Sequence, residues 1–289
     1  MLTLTPLSEI PLIKKDDNLA EIILHACTQS KIQLTDGDIL ILAQKIVSKA
    51  EGRLVNLADV EPSPRACQLA EATEKDPRVV ELILAESNEV LRTRPGLIVV
   101  EHKQGFVCAN AGIDRSNVRP PLTPPEGGRT SSLDFPKEKN GADSHLPLLG
   151  EGLGVRGGAG NEHVLLLPKD SDKSATVLRE KLEKATGVKL GILIIDSHGR
   201  AWRNGTVGMT IGIAGMPGLV DLRGDADLFG RALKITQVGA ADELAGAASL
   251  MMGQKDEGTP IVHARGFPYP LRESKLGELM RPKEMDLFR

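Results

Sequence analysis

The sequence predicts an α+β fold, in which helices and strands mix along the chain without the regular alternation of a doubly wound sheet. Helical patterns recur at residues 17–30, 172–186 and 241–252, and short apolar runs that are typical of strands lie between them. Neither GxxxxGKS/T nor a GxGxxG placed between a strand and a helix occurs in the 289 residues. This absence excludes an ordinary P-loop site and an ordinary Rossmann site for a nucleotide.

The first third of the chain contains three predicted helices and one buried strand. Residues 17–30 carry apolar side chains on one helical face, and residues 38–43 form a buried strand that leads directly into the polar segment 44–52. Ser63-Pro64 and Asp76-Pro77 each place a capping residue before a proline at the first helical position, so each pair begins a helix.

A hairpin is expected after the second of these helices. The helix that begins at Pro77 is expected to continue through Leu91 and to end before Pro95-Gly96. Residues 97–100 and 106–109 are apolar and flank a short polar turn, so they predict two antiparallel strands.

Residues 119–162 differ in composition from the rest of the chain. Of these 44 positions, 6 are proline and 9 are glycine, which is typical of low-complexity, disordered sequence. We expect this segment to be an insertion that loops out of a single domain formed by residues 1–118 and 163–289.

Regular structure is expected to resume at residues 164–168. A helix at 172–186 precedes an apolar strand that ends at Asp196, and a glycine-rich stretch follows at 205–215. These glycines either let backbone amides approach an anion or allow a strand to pack closely, and close packing is the favoured interpretation. The helix at 241–252 is apolar enough to be buried on most sides.

Composition narrows the possible function classes. The net charge is −3 and aromatic residues make up 2% of the chain, so neither the basic surface nor the stacking platform of a nucleic-acid-binding protein is expected. The three cysteines lack paired or zinc-like spacing, which is typical of reduced thiols. Without a signal peptide or a bilayer-spanning apolar run, we expect a cytoplasmic protein that does not bind a membrane.

Two aspartates that follow apolar, strand-like runs are the strongest functional candidates. Asp114 ends the run 107–114, and Asp196 ends the run 190–196. A carboxylate at a strand end is held rigidly, and two of them suit a hard divalent cation that carries phosphates. Taken alone, each aspartate is more simply explained as a turn residue that bonds its own backbone.

Two pairs of basic residues are candidates to bind phosphate. Lys45 and Lys49 are four residues apart after the first buried strand, so they share a helical face and are either phosphate ligands or ordinary solvated lysines. Arg200 and Arg203 follow Asp196 in a polar cluster, and guanidinium groups suit phosphate or carboxylate. The simpler alternative for this cluster is a polar surface turn.

Taken in order, these segments resemble the coenzyme F420-0:L-glutamate ligase family, the gamma-glutamyl ligases of the deazaflavin coenzyme. The resemblance is carried by residues 10–13, 37–52, 110–117, 165–168, 196–205, 241–243, 252–254 and 285–289. It spans nearly the whole chain except residues 119–162.

The resemblance implies a fold of two intertwined subdomains with mixed and antiparallel sheets, working as a homodimer. It implies GTP as a co-substrate, a divalent cation that is Mg²⁺ or Mn²⁺, and K⁺. It also implies that the chain attaches L-glutamate to the phospholactyl carboxylate of coenzyme F420-0, through an acyl phosphate, and then adds γ-linked glutamate.

The resemblance also assigns residues to the site. The metal-binding residues are Asp114, Asp196, Ser197 and Gln254. The nucleotide-contacting residues are Ile10, Pro11, Leu12, Ile13, Gln44, Lys45, Lys49, Asn117, Met252, Gly253, Gln254, Lys255, Asp256, Glu257, Gly258 and Thr259. Lys49, Arg200 and Arg203 are the catalytic candidates that would neutralise charge during phosphoryl transfer.

Two alternatives remain open at this point. One is a related metal- and nucleotide-dependent amide ligase that acts on another carboxylate. The other is a non-catalytic protein that binds a nucleotide or a deazaflavin on the same fold. Release of GDP and phosphate that requires both glutamate and the coenzyme separates the ligase from the binding protein.

Overall fold

The computed structural model describes residues 1–116, residue 118 and residues 163–287. The predicted insertion 119–162 and the nucleotide-contacting candidate Asn117 lie outside the described residues, so both stay predictions.

The described part of the chain mixes strands and short helices. The strands are β1 (Thr3–Pro6), β2 (Ile39–Ala43), β3 (Leu54–Asn56), β4 (Ser87–Arg94), β5 (Leu97–His102), β6 (Val107–Ala109), β7 (His163–Leu165), β8 (Gly191–Arg200), β9 (Arg203–Ala214), β10 (Val220–Asp221), β11 (Gln237–Val238) and β12 (Ile261–Arg265). The helices are α1 (Leu19–Gln29), α2 (Gln44–Ala50), α3 (Pro64–Thr73), α4 (Pro77–Ala85), α5 (Ser171–Thr186) and α6 (Ala240–Met252). Within these ranges, no helix combines the length and the apolar character that crossing a membrane requires.

The largest sheet has five strands in the order β1-β12-β2-β8-β9. Its β2–β8 pair is parallel and its other pairs are antiparallel, whereas the three-stranded sheet β4-β5-β6 is antiparallel throughout. The predicted α+β class with mixed and antiparallel sheets is therefore confirmed. The division into two subdomains stays a prediction.

The five-stranded sheet is the middle layer of the core. Successive side chains of a strand point to opposite faces, and β2 is buried on both. Ile39 and Ile41 pack in an apolar cluster with residues of α6, whereas Leu40 and Leu42 pack in a second cluster with residues of α1 and α5. The functional candidates that follow β2 are thus attached to a strand that is buried on both faces.

Glycines in β9 let two helices approach the sheet closely. A Cβ at Gly208 would lie 2.6 Å from the Cβ of Ser249 in α6, and a Cβ at Gly212 would lie 2.6 Å from the backbone carbonyl of Ser171 in α5. The strand register shifts between these two glycines, so they face opposite sides of the sheet. The close-packing interpretation of the glycine-rich stretch is confirmed at these positions.

Gly208→Ala is expected to lower the free energy of unfolding by about 1–3 kcal/mol, because the new methyl group would collide with Ser249 and the backbone of α6. Gly199→Ala is the matched control, since a Cβ there meets open space in the same hairpin. Urea unfolding of both variants measures the difference. Equal stability of the two variants would contradict the close approach of α6 to β9.

The prediction that the helix from Pro77 continues through Leu91 is wrong. Helix α4 ends before Ser87, and residues 87–94 form β4, which pairs with β5 across a turn at Pro95 and Gly96. Gly96 has a φ of +79°, which a glycine adopts without strain. The apolar residues after Ala85 have helical spacing, but the pairing of β4 with β5 determines their conformation. The periodicity of a single segment does not reveal such a pairing.

The prediction that both aspartates lie at strand ends is also wrong. Strand β8 continues through Asp196 to Arg200 and turns directly into β9, so the aspartate lies within a long hairpin. Strand β6 stops well before Asp114, after which Asn110 and Ala111 adopt positive φ in a tight turn. The apolar run that leads to Asp196 thus continues as the polar part of a hairpin. The run that leads to Asp114 is interrupted by a turn.

Helix α6 is less buried than its composition predicts. Ala241 and Ala245 pack against the sheet, whereas Leu250 is 85% exposed and Met251 is 41% exposed. The expectation of burial on most sides holds for much of the helix, since seven of its 13 residues are buried, but it is wrong at Leu250 and Met251. Apolar composition does not reveal which face meets the core.

Candidate active site

Helix α2 and strand β8 bring two predicted site regions together. Helix α2 begins at Gln44, directly after β2, and the parallel register pairs Ala43 of β2 with Ile195 of β8. Gln44 directly follows Ala43, and Asp196 directly follows Ile195. The start of α2 and the Asp196 position are therefore neighbours at one end of the five-stranded sheet.

Two further predicted nucleotide segments arrive at the same end. Strand β12 is antiparallel to β2, so the loop 252–259 that precedes it approaches the sheet where Gln44 lies. Ala43 donates its N–H to the carbonyl of Pro260 at 2.9 Å, which ties the end of that loop to β2. Strand β1 is antiparallel to β12, so the segment 10–13 that follows it leaves from this end as well.

Asp114 is held in place by a lysine and a serine. Lys45 Nζ lies 2.8 Å from Asp114 Oδ2 and donates to Ser116 Oγ at 2.7 Å. Ser116 donates its backbone N–H and its hydroxyl to Asp114 Oδ1 at 2.7 and 2.9 Å. Burial, and then repulsion from Lys45, lowers the pKa of Lys49, whereas the nearby Asp114 raises it. One carboxylate therefore interacts with both lysines of α2.

Asp196 has a separate set of contacts. His198 Nε2 lies 3.1 Å from Asp196 Oδ2, and both side chains share one face of β8 because they are two residues apart. The His198 ring packs against Phe106, with 5.6 Å between the ring centroids. Burial, and then the charge of Asp196, raises the pKa of the Cys108 thiol to about 12. Asp196 therefore lies where the long hairpin meets strand β6.

Ser197 and Gln254, two further metal-binding candidates, contact each other. Ser197 Oγ donates to Gln254 Oε1 at 2.8 Å, and Gln254 Nε2 donates to Ser249 Oγ at 3.0 Å. Strand alternation directs the Ser197 side chain away from the face that carries Asp196. The structure thus joins Ser197 to the loop after α6, while the Asp196 carboxylate points to the other side of the hairpin.

The donor set suits a hard divalent cation. Carboxylate, hydroxyl and amide oxygens are ligands that Mg²⁺ and Mn²⁺ prefer. Among the residues that the structure describes, no group of three or more His, Cys, Asp or Glu side chains is placed to hold a metal ion. A cation bound here would complete its coordination with phosphate oxygens and water, as Mg²⁺ usually does in nucleotide sites.

Gln44 lies buried at the start of α2. Its side-chain oxygen accepts a hydrogen bond from Ser48 Oγ at 2.8 Å, and its Nε2 has no hydrogen-bond partner within the described part of the chain. An unpaired buried amide costs free energy, so this group favours a bound acceptor atom. In the predicted nucleotide segment 10–13, Leu12 is exposed, whereas Ile13 belongs to the core.

The loop 252–259 is closed by contacts within itself. Gly253 has a φ of +73°, and the Glu257 carboxyl group occupies the space where a Cβ would lie. Thr259 Oγ1 donates to the carbonyl of Met252 at 3.0 Å, which joins the two ends of the loop. A substitution of Gly253 would therefore be strained and crowded at once.

Arg200 and Arg203 lie at the far end of the β8–β9 hairpin. The register pairs them directly across the two strands, and Arg200 Nη2 donates to the carbonyl of Asn204 at 3.1 Å. Arg200 is the fourth residue after Asp196, which places it roughly 13 Å further along the hairpin. Their part in charge neutralisation stays a prediction.

The contact between Asp196 and His198 did not follow from the sequence analysis. The predicted strand stopped at Asp196, so the rule that residues two apart share a face was not applied beyond it. A strand extended to Arg200 would have placed the histidine beside the carboxylate. The sequence contained this information, because Asp196 and His198 are two residues apart.

Comparison with known proteins gives the family. A family model described as F420-0:Gamma-glutamyl ligase matches residues 8–132 and 148–266, which is most of the chain. The break in that match lies within the predicted insertion 119–162.

Three archaeal relatives share the same name, Coenzyme F420:L-glutamate ligase. The relative from Methanothermobacter thermautotrophicus is 41% identical over 282 residues, which cover 97% of this chain and 96% of that protein. The relative from Methanocaldococcus jannaschii is 37% identical over 97% of this chain and 94% of its own. The relative from Archaeoglobus fulgidus is 36% identical over 98% of this chain and 95% of its own. With the family model and these relatives in agreement, the chain belongs to the F420-0:gamma-glutamyl ligase family.

Proposed function

We propose that this chain is a GTP-dependent ligase that attaches L-glutamate to the phospholactyl carboxylate of coenzyme F420-0 and then adds γ-linked glutamate. The observation that carries this proposal is the arrangement at one end of the five-stranded sheet. Asp114 with Lys45, Asp196 with His198, and the loop 252–259 all meet there, on a chain that belongs to this ligase family.

The proposed reaction has two balanced steps. A carboxylate oxygen of the acceptor attacks the γ-phosphorus of GTP, which forms an acyl phosphate and releases GDP. The amine of glutamate then attacks the acyl carbon, loses a proton, and expels inorganic phosphate as the amide bond forms. Most of the catalysis in such reactions comes from positioning and from charge stabilisation.

The described residues offer groups for both tasks. The ammonium groups of Lys45 and Lys49, on one face of α2, are suited to offset phosphate charge, and partial burial strengthens that electrostatic effect. The buried amide of Gln44 and the self-closed loop 252–259 provide rigid contacts for the nucleotide. Rigid contacts favour catalysis because they need no reorganisation when the reaction occurs.

Asp114 and Asp196 are the proposed ligands of Mg²⁺ or Mn²⁺ on one side of the hairpin, and Ser197 and Gln254 are proposed metal ligands on its other side. When bound, the cation would neutralise the β- and γ-phosphate oxygens. Ser116 fixes the orientation of Asp114, and His198 fixes that of Asp196, so both carboxylates are held before a ligand arrives. A K⁺ ion is part of the proposal by analogy with the family, and GTP is the proposed phosphoryl donor.

A homodimer in the cytoplasm is also part of the proposal. The hairpin that links β10 and β11 exposes Leu228 by 92% and Phe229 by 84%, with Ile235 exposed by 87% at its base. Exposed apolar side chains grouped on one element favour a protein partner, and a second copy of the chain is the proposed one. Unpaired cysteine thiols, two of them buried, are compatible with a reducing compartment.

Mass spectrometry of the deazaflavin after incubation with the chain, GTP, Mg²⁺ and glutamate tests the function. The expected result is a mass increase by one or more glutamyl units, together with GDP and phosphate in equal amounts. GDP release with a different carboxylate as acceptor, and none with F420-0, would favour a related amide ligase. Binding of nucleotide without turnover would favour a non-catalytic protein.

A further inference from the structure

We propose that the tip of the β8–β9 hairpin is the binding site for the acceptor coenzyme. In this site Trp202 stacks on the deazaflavin ring, and Arg200 and Arg203 bind the acidic phospholactyl group. The inference rests on the proposed function and deepens it, because it names the part of the molecule that recognises the acceptor.

Trp202 lies at the tip of the β8–β9 hairpin. It is the only tryptophan in the chain, and it is 89% exposed at the turn between the two strands. An exposed tryptophan presents a large aromatic surface to solvent, and such residues are typical of recognition sites for flat ligands. The deazaflavin ring is a flat aromatic group of this kind.

The backbone at Trp202 points to the same conclusion. Its φ is +62°, a left-handed conformation that is uncommon for a bulky residue and that glycine would adopt without strain. A strained residue of this kind is a reason to look for function at that position. This conformation occurs in the turn at the tip of the hairpin, where the indole ring is exposed.

The two arginines provide an independent argument for an anion. The strand register places Arg200 directly opposite Arg203, and like charges opposite each other destabilise an antiparallel pair. Among the ion pairs of the described residues, none involves either arginine. A bound phosphate would remove this repulsion, and guanidinium groups are well suited to bind one.

The hairpin also has a suitable length. Asp196 and His198 share one face of β8, and Arg200 lies two residues further along the strand, roughly 13 Å from Asp196, where the register with β9 shifts. This span leaves room for the γ-phosphate of GTP and the reacting carboxylate between Asp196 and the arginines. In the acceptor, the phosphate of the phospholactyl group lies close to that carboxylate, and the deazaflavin ring lies further out. Arg200 and Trp202 follow each other along the hairpin in the same order.

Steady-state kinetics of two substitutions at Trp202 test the stacking contact. Trp202→Ala is expected to raise KM for coenzyme F420-0 by about tenfold to a hundredfold, as for other aromatic stacking contacts. The turnover number and the KM values for GTP and glutamate should change by less than about twofold. Trp202→Phe keeps an aromatic face and should restore most of the affinity for the acceptor.

Loss of one arginine tests the anion contact. Arg200→Gln is expected to raise KM for the acceptor by about tenfold, since hydrogen bonds to a charged group are stronger than neutral ones. Arg65→Gln is the matched control, because Arg65 is an exposed arginine on α3 with no role in the site. Equal KM values in these two variants would overturn the phosphate contact.

Tryptophan fluorescence provides a readout that does not depend on turnover. Because Trp202 is the only tryptophan, its emission reports on the hairpin tip alone. Titration of the wild-type chain with F420-0, without GTP or glutamate, should quench this emission until the quenching saturates. The same additions of F420-0 to N-acetyltryptophanamide correct for light absorbed by the coenzyme itself. A blue-shifted emission without ligand would mean that the indole is covered, and would overturn the inference.

The outcomes separate this inference from the proposed function. An unchanged acceptor KM in a fully active Trp202→Ala variant overturns the inference and leaves the ligase activity in place. Wild-type chain that never glutamylates F420-0 overturns the proposed function, whereas saturable quenching of Trp202 in the same preparation would still support acceptor binding at the tip.

Discussion

Asp196→Asn is expected to lower the turnover of glutamate ligation by about a hundredfold to a thousandfold while the fold stays intact. The substitution keeps the shape of the side chain and its contact with His198, but it removes a negative charge that would hold a divalent cation. A cation that stabilises phosphate charge contributes several kcal/mol to the transition state, which corresponds to this range of rates. Steady-state turnover with saturating GTP, glutamate and F420-0 measures the effect, and thermal unfolding checks the fold.

Asp36→Asn is the matched control for this experiment. Asp36 lies in the turn before β2, at the opposite end of the five-stranded sheet from Asp196. Its Oδ1 accepts a hydrogen bond from Lys189 N at 2.7 Å, and an asparagine oxygen retains that bond. The control is expected to keep wild-type turnover. Turnover of Asp196→Asn equal to that of the control would remove Asp196 from the proposed metal site.

Elements with a local sequence signal were predicted well. Ser63 and Asp76 were identified as helix caps, and each accepts a hydrogen bond from a backbone N–H of the first turn, at 3.2 and 2.9 Å. Gly187 ends α5 with a φ of +76°, as expected for a residue after a helix. Strand β4 was missed because its partner, β5, determines its conformation, and the pairing of two strands is not visible in the periodicity of one.

In the candidate site, too, local features were predicted and contacts between distant residues were not. The Lys45 and Lys49 spacing on one helical face was predicted from four residues of separation, and helix α2 has this geometry. The ion pair between Lys45 and Asp114 joins residues far apart in the chain, so only the arrangement of the strands reveals it. Likewise, the strand order β1-β12-β2-β8 brings the loop 252–259 beside Gln44, and no local pattern contains that order.

The contact between Lys45 and Asp114 leads to the second large effect. Lys45 Nζ occupies a position 2.8 Å from Asp114 Oδ2, the oxygen that a divalent cation would also need. The ammonium group and a bound cation would therefore compete for one carboxylate. We expect Lys45 to leave Asp114 for the phosphates of GTP when the cation and the nucleotide bind together.

Lys45→Gln is therefore expected to change two quantities in opposite directions. Without nucleotide, the affinity for Mn²⁺ should rise, because the Lys45 charge that competes for Asp114 is gone. The rise should be only about threefold to tenfold, because the ion pair between Lys45 and Asp114 is partly exposed to water. With all substrates present, kcat/KM for GTP should fall by about a hundredfold, because one cationic contact to the phosphates is lost. Free Mn²⁺ measured by electron paramagnetic resonance and steady-state kinetics provide the two values.

Two further variants make the interpretation of Lys45→Gln unambiguous. Lys181→Gln removes the same charge from an exposed position on α5 and should leave both quantities unchanged. Asp114→Asn should weaken Mn²⁺ binding, since it removes the shared carboxylate. If Asp114→Asn leaves Mn²⁺ affinity as it is and Lys45→Gln fails to raise it, Asp114 serves to anchor Lys45, and the metal site has to be built around Asp196 without it.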